Sequence, residues 1–455
     1  MSDRSFDVVI IGAGPAGEVC AGRLADGGLE VAVVEEHLVG GECSYFGCMP
    51  SKALLRPGQV LAEARRVPGA AEAVAGDLDV ERVFERRDEV VHHLDDSAQL
   101  PWLEDRGIAL VRGHGQLAGE RAVRVGDETL VARRAVIVAT GTEPLIPAIP
   151  GLREANPWTN REAVNSHEVP ESLVVLGGGT VGVEMADAFA SFGSKVTVIE
   201  AGPRVLAREE PFAGDEVCAA FAKAGVLVRA DTRATAVTRA EGKVTVELHD
   251  GSSVTADQIL VAVGRRTLSA GLGVEELDIE PGKPIEVDDT LRVPGHDWLY
   301  VIGDANGRIL LTHMGKYQGR VVADRILGRE VALRSDGPLS PRVTFTEPQV
   351  AAVGHTLASA QEAGIDARAV DVPTGGNAGG SFVGKGAPGT ARIVVDEQRR
   401  VIVGATFTGV EVAEAIHAAT IAVIAEVPLD DLWHAVPCFP TRSELWLKLL
   451  EKYGM

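Results

Sequence analysis

The stretch "FDVVIIGAGPAGEVC", residues 6–20, decides the fold of this chain. A run of apolar residues typical of a buried strand ends in glycines, and helix-forming residues follow it. Gly12, Gly14 and Gly17 have the spacing G-x-G-x-x-G, and a second apolar run, "VAVVEE", contains Glu35 near its end. A strand, a glycine turn, a helix and a second strand ending in an acid form the pattern of a dinucleotide-binding unit.

Each residue of this fingerprint has a physical task. Gly12 allows the tight turn, Gly14 lets the backbone approach a pyrophosphate, and Gly17 lets the helix pack closely on the strand. The N-terminus of the helix then faces the phosphates, and Glu35 can accept a hydrogen bond from a ribose hydroxyl. One such motif alone is weak evidence, because glycine turns also occur without a ligand.

The same pattern occurs a second time. The stretch "SLVVLGGGTVGVEMADAFASFGSKVTVIE", residues 172–200, places Gly177, Gly179, Gly182 and Glu200 each 165 residues after its counterpart in the first stretch. Three glycines and an acid are hard to repeat in one frame by chance. We therefore predict two Rossmann-type units.

The segments between and after these units complete the predicted fold. Residues 52–99 indicate helices, and the proline-rich exit near Pro144–Pro150 indicates a domain boundary. After Pro341 the residues 390–409 alternate like a hairpin, and 411–427 have helical periodicity. We expect an α/β protein with two Rossmann-like domains and a C-terminal α+β domain.

Composition limits the range of functions. The chain has 455 residues, 45% of them hydrophobic, and a formal net charge of −21, which disfavours binding to nucleic-acid phosphates. No apolar run approaches the ~18 residues of a membrane span, and the N-terminus lacks a signal-peptide pattern. The five cysteines do not form a disulfide scaffold. We expect a soluble cytoplasmic protein that binds neither nucleic acid nor membranes.

The stretch "GGECSYFGCMPSK", residues 40–52, holds Cys43 and Cys48. A metal site would need further cysteine or histidine ligands nearby, and a structural disulfide is unusual in a reducing cytoplasm. Two interpretations remain: the cysteines are two small buried residues, or they are a redox-active pair. In a regular helix the two Cα atoms would lie roughly 8.7 Å apart, beyond the ~7 Å reach of a disulfide.

A bond between these cysteines therefore requires a break in the helix between them. Gly47 suits such a bend, and Pro50 fits the first turn of a helix that continues through "SKALL". A cysteine at a helix N-terminus has a lowered thiol pKa. The sequence thus permits a strained, reducible pair.

Together these motifs resemble those of the class I pyridine nucleotide-disulfide oxidoreductases, the family of lipoamide dehydrogenase, glutathione reductase and mercuric reductase. The resemblance covers nearly the whole chain and includes "ATG" at 139–141, "GD" at 303–304 and "FPTRSE" at 439–444. It implies a homodimer that binds FAD and NAD(P)H. The implied domains are 1–148 with 269–340 for FAD, 149–268 for NAD(P)H and 341–455 for dimerisation.

The resemblance also implies the roles of individual residues. Cys43 would attack the substrate, Cys48 would lie against the flavin, and Lys52 would pair with Glu184; Glu444 completes the implied catalytic set. The implied FAD contacts are Gly12, Gly14, Pro15, Ala16, Gly17, Glu35, Gly41, Lys52, Gly115, Ala139, Thr140, Gly141, Gly303, Asp304 and Thr312. Those for NAD(P)H are Gly177, Gly179, Gly182, Glu200 and Gly264, and no metal is expected. Glu200 favours NADH because a carboxylate repels a 2′-phosphate, although Arg204 keeps NADPH possible.

One position departs from the family pattern. Family reductases carry a His-Pro pair followed by a Glu in the C-terminal domain. Here Phe439 stands in the His position before Pro440 and Glu444. A phenyl ring cannot carry a proton, and a placed acid-base is worth about 10²–10⁴ in rate. His434 could reach in as a substitute or have a surface or packing role, and Cys438 could act as a third thiol or as a small packed residue. Phe439-Pro440 is a candidate cis bond.

Three functions follow from this sequence. The first is an enzyme that passes electrons through FAD and Cys43–Cys48 to a small disulfide or related small-molecule acceptor. The second uses the same cofactors to reduce quinones, dyes, oxygen or metal ions, which need no protonated sulfur leaving group. Mercury reduction is disfavoured, because the chain ends "KLLEKYGM" without a C-terminal cysteine pair. The third is a non-catalytic nucleotide sensor or complex subunit, against which the retained Cys43, Cys48, Lys52 and Glu184 argue.

Overall fold

The structure, a computed structural model, describes residues 3–455. Its strands are β1 (Asp3–Ile11), β2 (Val31–Glu35), β3 (Ala109–Arg112), β4 (Gly115–Leu117), β5 (Ala122–Val125), β6 (Glu128–Val138), β7 (Thr142–Pro144), β8 (Ser172–Leu176), β9 (Lys195–Ile199), β10 (Leu227–Arg229), β11 (Ala234–Ala240), β12 (Lys243–Leu248), β13 (Ser253–Ala256), β14 (Gln258–Val261), β15 (Arg265–Thr267), β16 (Leu299–Val301), β17 (Arg342–Thr344), β18 (Gln349–Gly354), β19 (Ala367–Pro373), β20 (Thr390–Asp396) and β21 (Val401–Gly409).

The structure also contains α-helices. They are α1 (Pro15–Asp26), α2 (Gly41–Tyr45), α3 (Cys48–Arg66), α4 (Val80–Val90), α5 (Leu100–Glu104), α6 (Asn160–Asn165), α7 (Thr180–Ser191), α8 (Pro211–Lys223), α9 (Thr312–Ile326), α10 (Leu357–Glu362), α11 (Val412–Ile424), α12 (Leu429–Trp433) and α13 (Leu445–Tyr453). As expected, residues 52–99 contain helices and 3-10 turns without a strand.

The chain forms two compact units. The first unit comprises 3–50, Asp88–Pro144 and Arg265–Gly337. Its main sheet has the order β3-β2-β1-β6-β5-β4, and β16 pairs in parallel with β6. The strands β3, β2, β1, β6 and β16 are parallel, which is the arrangement predicted for the first Rossmann-type unit.

The apolar run of β1 explains its central place. Val8, Val9, Ile10 and Ile11 are buried between β2 and β6. Alternate residues of the strand enter two different hydrophobic clusters, one on each face of the sheet. Because both faces are covered, the strand reads as a continuous apolar run rather than an alternating one.

The second unit comprises Ser51–Arg87, Leu145–Gly264 and Pro338–Met455. It contains a parallel sheet of order β10-β9-β8-β14 and an antiparallel sheet of order β11-β12-β13. Its third sheet is antiparallel, of order β17-β18-β21-β20-β19, and α11 and α13 pack on it. The predicted hairpin at 390–409 is β20–β21, and the predicted helix at 411–427 is α11.

These sheets confirm the predicted fold class of two Rossmann-like parts and a C-terminal α+β part. The four strands of the second Rossmann-like sheet, β10-β9-β8-β14, have the same order as β3-β2-β1-β6 in the first. Across residues 3–455, none of the helices is both long and apolar enough to cross a bilayer.

Candidate active site

The first glycine loop has the geometry of a pyrophosphate cradle. Gly12 has φ +108°, and a Cβ on it would lie 2.5 Å from the carbonyl oxygen of Ala139. A Cβ on Gly17 would lie 2.0 Å from the oxygen of Gly12, so only glycine allows this contact between helix and loop. Gly14, by contrast, faces open space and precedes α1 without a side-chain cap. Its open side leaves the first N–H groups of α1 to a ligand, which fits the phosphates of FAD.

The acid at the end of β2 is held in place by the loop itself. Glu35 Oε2 accepts a hydrogen bond from Ala13 N at 2.7 Å, and Oε1 accepts one from His37 N at 2.8 Å. The carboxylate therefore lies next to the glycine turn, where a nucleotide ribose would follow the pyrophosphate.

The second loop repeats this arrangement in the second unit. Gly177 has φ +104°, a Cβ on Gly182 would lie 1.9 Å from the oxygen of Gly177, and Gly179 is open. Glu200 accepts hydrogen bonds from Gly178 N at 2.5 Å and from Gly202 N at 2.6 Å. The geometry of this second loop therefore fits a dinucleotide in the same way as the geometry of the first loop.

The two cysteines lie at a break between helices, as the spacing required. Cys43 belongs to α2, which ends at Tyr45, and Cys48 is the first residue of α3. The Cys48 Sγ lies 3.4 Å from the Oγ1 of Thr312, which begins α9. The pKa of the Cys43 thiol is raised, chiefly by its hydrogen bond with Cys48 and then by burial. Both effects favour the protonated form of the Cys43 thiol.

A chain of polar groups links the turn at Asp304 to the cysteine segment. Asp304 Oδ2 accepts a hydrogen bond from the Thr142 hydroxyl at 2.9 Å, and Arg265 Nε donates to that hydroxyl at 2.7 Å. Arg265 also donates to Glu42 Oε1 at 3.2 Å, next to Cys43. Burial raises the pKa of Asp304, against the lowering effects of Thr142 and Arg265. Thr142, Arg265 and Glu42 were not predicted from the sequence, because their partners are remote in the chain.

Other residues expected at the FAD site shape the same unit. A Cβ on Gly41 would lie 2.8 Å from Gly14 Cα, and one on Gly115 would lie 2.9 Å from Ile11 Cγ2. The turn that starts at Gly303 is fixed by Gln318, whose Oε1 accepts from Gly303 N at 2.8 Å. The rest take their places as follows: Pro15 and Ala16 open α1, Ala139, Thr140 and Gly141 follow β6, and Gly264 follows β14 in the second unit.

Lys52 and Glu184 meet in the second unit. The Lys52 Nζ lies 2.7 Å from Glu184 Oε2, and the carboxylate is 4% exposed. Glu184 Oε1 accepts a hydrogen bond from Phe345 N at 2.9 Å, and Lys52 Nζ lies 4.8 Å from the centre of the Phe345 ring. The sequence indicated the ion pair through the family resemblance and gave no indication of Phe345.

The C-terminal segment exposes the position that departs from the family pattern. Phe439 is 78% exposed, its bond to Pro440 is cis as expected, and Cys438 and His434 are also exposed. The Oε2 atom of Glu444 is buried and has no hydrogen-bond partner. The carboxylate is thus an acceptor without a donor on that oxygen.

Within the described residues, no group of three or more His, Cys, Asp or Glu side chains is arranged to hold a metal ion.

Comparison with known proteins extends this description to the whole chain. The family model of the pyridine nucleotide-disulphide oxidoreductases matches residues 6–319, and the model of their dimerisation domain matches residues 340–449. The dihydrolipoyl dehydrogenase of Chlamydia muridarum is 31% identical over 98% of this chain and 96% of its own length. The mercuric reductase of Staphylococcus aureus is 28% identical over 97% of this chain and 81% of its own length.

Solved structures agree with this comparison. The HOCl-induced flavoprotein disulfide reductase RclA from Escherichia coli has a TM-score of 0.86 and 27% identity, covering 98% of this chain and 99% of its own. A Cu(II) complex of the same protein also has a TM-score of 0.86, with 26% identity. The family uses FAD and NAD(P)H, and its dimerisation domain supports a homodimer. The chain therefore belongs to the pyridine nucleotide-disulphide oxidoreductases, a family of flavoenzymes, as its motifs predicted.

Proposed function

We propose that this chain is an NADH-dependent enzyme in which Cys43 and Cys48 exchange two electrons with a small disulfide or dithiol. The observation that supports this most is the position of the pair: Cys48 lies at the start of α3 beside Thr312, and the Cys43 thiol is hydrogen-bonded to Cys48. Bound FAD would supply two-electron transfer between NADH and sulfur. The overall reaction is NADH + H⁺ + R–S–S–R → NAD⁺ + 2 R–SH, and it runs in reverse with a dithiol.

The cysteines divide the sulfur chemistry between them. The Cys43 sulfur attacks the substrate disulfide, one thiol leaves, and a mixed disulfide forms. Cys48 then attacks Cys43, which releases the second thiol and closes the Cys43–Cys48 disulfide. The N-terminus of α3 and the Thr312 hydroxyl stabilise the Cys48 thiolate. Two electrons from NADH and two protons reopen the bond.

The remaining residues of the proposed site hold cofactors and charge. Lys52, held by Glu184, puts a positive charge one helical turn after Cys48 in α3. We assign FAD to Gly12, Gly14, Pro15, Ala16, Gly17, Glu35, Gly41, Lys52, Gly115, Ala139, Thr140, Gly141, Gly303, Asp304 and Thr312. We assign NADH to Gly177, Gly179, Gly182, Glu200 and Gly264.

The preference for NADH rests on Glu200. Its carboxylate is fixed by two backbone N–H groups at the end of β9, where it would face the adenosine ribose. A carboxylate accepts from a 2′-hydroxyl and repels a 2′-phosphate. Arg204 is the residue that would favour NADPH, and its Nε is buried without a hydrogen-bond partner.

An anaerobic titration with NADH, followed by absorbance, tests the proposal. Two electrons per flavin should give a long-wavelength band from the Cys48 thiolate, and the Cys43→Ser and Cys48→Ser variants should lose disulfide turnover. Cys218→Ser is the matched control, because Cys218 is a half-buried cysteine of α8 outside the site. Unchanged disulfide turnover in Cys43→Ser would exclude the proposed path.

Because Phe439 stands where the family has His, we expect slow proton transfer to sulfur. Replacing Phe439 by His should raise disulfide turnover by up to about 10²-fold, because a placed acid-base contributes that much. Phe382→His is the control, since Phe382 is a similarly exposed phenylalanine in the same unit.

A second candidate function is the reduction of metal ions or quinones. Two observations favour it: Phe439 cannot carry a proton, and the structurally similar RclA was solved as a Cu(II) complex. The balanced reaction is NADH + 2 Cu²⁺ → NAD⁺ + H⁺ + 2 Cu⁺. A panel of acceptors with wild type and Cys43→Ser decides between the two, because a quinone or Cu²⁺ path that survives this change does not use Cys43.

We further propose the domain division 1–148 with 269–340 for FAD, 149–268 for NADH and 341–455 for dimerisation. The family-model boundary between 319 and 340 supports the last of these. The proposed acceptor is a small molecule, with no nucleic-acid or membrane partner, in keeping with the net charge of −21. We place the protein in the cytoplasm, which cell fractionation would test.

A further inference from the structure

Two acids on one face of α7 bind the same backbone segment. Glu184 and Asp187 are three residues apart, which puts them on neighbouring turns of the helix. Glu184 Oε1 accepts a hydrogen bond from Phe345 N at 2.9 Å, and Asp187 Oδ2 accepts one from Glu347 N at 3.0 Å. All of these residues belong to the second unit. The two carboxylates therefore fix the backbone between β17 and β18 at two alternate residues.

This segment also contacts Lys52 through the Phe345 ring. The Lys52 ammonium lies between the Glu184 carboxylate at 2.7 Å and the Phe345 ring, whose centre is 4.8 Å away. The carbonyl oxygen of Phe345 accepts a hydrogen bond from Gln59 Nε2 of α3 at 2.8 Å. A carboxylate and the face of a ring both stabilise a cation and restrict its position. A shift of the segment would therefore move the Phe345 ring beside the Lys52 ammonium and the N–H that holds the Glu184 carboxylate.

We propose that Asp187 is a positioning residue for the Lys52–Glu184 pair. By holding Glu347 N, it fixes the segment from which Phe345 presents its N–H to Glu184 and its ring to Lys52. The role rests on the proposed function, which places Lys52 at the site of electron transfer. Asp187 itself bonds the segment and makes no described contact with Lys52.

The surroundings of Asp187 favour its neutral form. It faces Glu184 on its own helix and Glu347 on the segment. Glu184 forms an ion pair with Lys52 at 2.7 Å, and Glu347 forms one with Arg66 of α3 at 2.6 Å. Burial, followed by the two neighbouring carboxyls, raises the pKa of Asp187 to about 7, and the bond from Glu347 N acts against this rise. Either protonation state can accept the N–H, so Asn is a close mimic of the neutral form.

The test compares three variants of the FAD-loaded protein. Asp187→Leu keeps the branched shape and removes the acceptor, Asp187→Asn keeps an acceptor, and Glu210→Leu is the matched control. Glu210 is also a buried acid of the second unit bonded to a backbone N–H, that of Leu357 at 2.7 Å, and it takes no part in the proposed site. Readouts are the rate of flavin bleaching by NADH, the KM for NADH, and hydrogen exchange of the peptide that contains Phe345–Glu347.

We expect Asp187→Leu to slow bleaching at least about 10-fold, with the KM for NADH changed less than about twofold. Its Phe345 and Glu347 amides should exchange faster, and Asp187→Asn should restore the rate and the protection. Glu210→Leu should lower thermal stability without slowing bleaching. Bleaching at the wild-type rate in Asp187→Leu, or an equal loss in Glu210→Leu, would overturn the proposal.

A fourth variant separates this proposal from the proposed function. Glu184→Gln should slow bleaching whether or not Asp187 matters; if it slows bleaching and Asp187→Leu does not, only the positioning role fails. If neither variant slows bleaching, the role of the ion pair fails, and the positioning role with it. Should Asp187→Leu not fold, Asp187→Ala takes its place with the same expected loss and the same contrary outcome.

Discussion

The helices that follow the two glycine loops, α1 and α7, take the same place in the repeat and carry different side chains. Glu184 and Asp187 of α7 correspond, 165 residues earlier, to Val19 and Gly22 of α1. A Cβ on Gly22 would lie 2.6 Å from the Trp102 ring, so that position of α1 serves close packing. In α7 the equivalent position holds a buried acid bonded to Glu347 N.

This difference separates two tasks that one fold combines. The three glycines and the acid at the end of the second strand are the same in both copies, which fits the pyrophosphate and ribose that both cofactors share. The second and third turns of the helix do not touch the phosphates and are free to differ. In the first copy they pack, and in the second they hold the charged groups around Lys52.

The largest expected effect comes from breaking the shared part of each copy in turn. Gly17→Ala and Gly182→Ala both place a Cβ within about 2 Å of a loop oxygen, at 2.0 and 1.9 Å. Overpacking of this kind costs roughly 1–3 kcal/mol or more, up to about 100-fold in affinity. Gly17→Ala should purify with little flavin, measured by the ratio of absorbance at 450 and 280 nm (roughly the flavin and protein maxima).

Gly182→Ala should remain yellow and lose reduction by NADH instead. Its KM for NADH should rise by up to about 100-fold, measured by steady-state kinetics at constant flavin content. If both variants lose flavin to the same degree, the two loops do not bind different cofactors and the comparison fails.

The next effect concerns the helical turn of α7 that differs from α1. Glu184→Gln removes the charge that faces Lys52, and hydrogen bonds between charged groups contribute about 1.5–3 kcal/mol, or about 10- to 100-fold in rate. Stopped-flow bleaching by NADH measures this loss. Val19→Leu, at the equivalent position of α1, is the control and should leave the rate unchanged. A similar loss in both variants would show that the effect is not specific to the second copy.

A smaller effect is expected at the acid that both copies share. Glu200→Gln keeps the size of the side chain and removes the charge that disfavours a 2′-phosphate. The ratio of kcat/KM for NADPH over NADH should rise by roughly 3- to 10-fold. Glu35→Gln is the matched change in the first copy and should not alter this ratio.

The smallest effect is a pH dependence of stability. The pKa of Asp187 is raised from 3.8 to about 7, chiefly by burial, so the folded protein holds a proton that the unfolded chain releases. This group's contribution to stability is therefore present below about pH 4 and is lost as the pH rises through about 7. Asp187→Asn has no proton to lose.

The Tm of Asp187→Asn minus that of wild type should thus increase between pH 5 and pH 7.5 and stay constant above. The change corresponds to on the order of 2 kcal/mol, since one pKa unit is about 1.4 kcal/mol. Scanning calorimetry over this pH range measures it, and a difference that is flat or falls with pH would contradict the buried neutral acid.

The sequence was informative where function depends on neighbouring residues. The glycine loops, the acids Glu35 and Glu200, and the break between Cys43 and Cys48 all follow from spacing within about 30 residues, and the structure has them as expected. The hairpin β20–β21 and the helix α11 follow from periodicity in the same way. Local backbone geometry is fixed by local residues, so these features can be read directly.

The sequence by itself determined that two nucleotide-binding units and two closely spaced cysteines occur in one chain, because each depends on short-range spacing. Only the tertiary structure decided what surrounds the charged groups. Phe345 reaches Glu184 from 161 residues away, and Thr142 meets Asp304 across 162 residues. Such contacts depend on how sheets and helices pack, and no periodicity along the chain encodes which distant N–H or hydroxyl a buried carboxylate will meet.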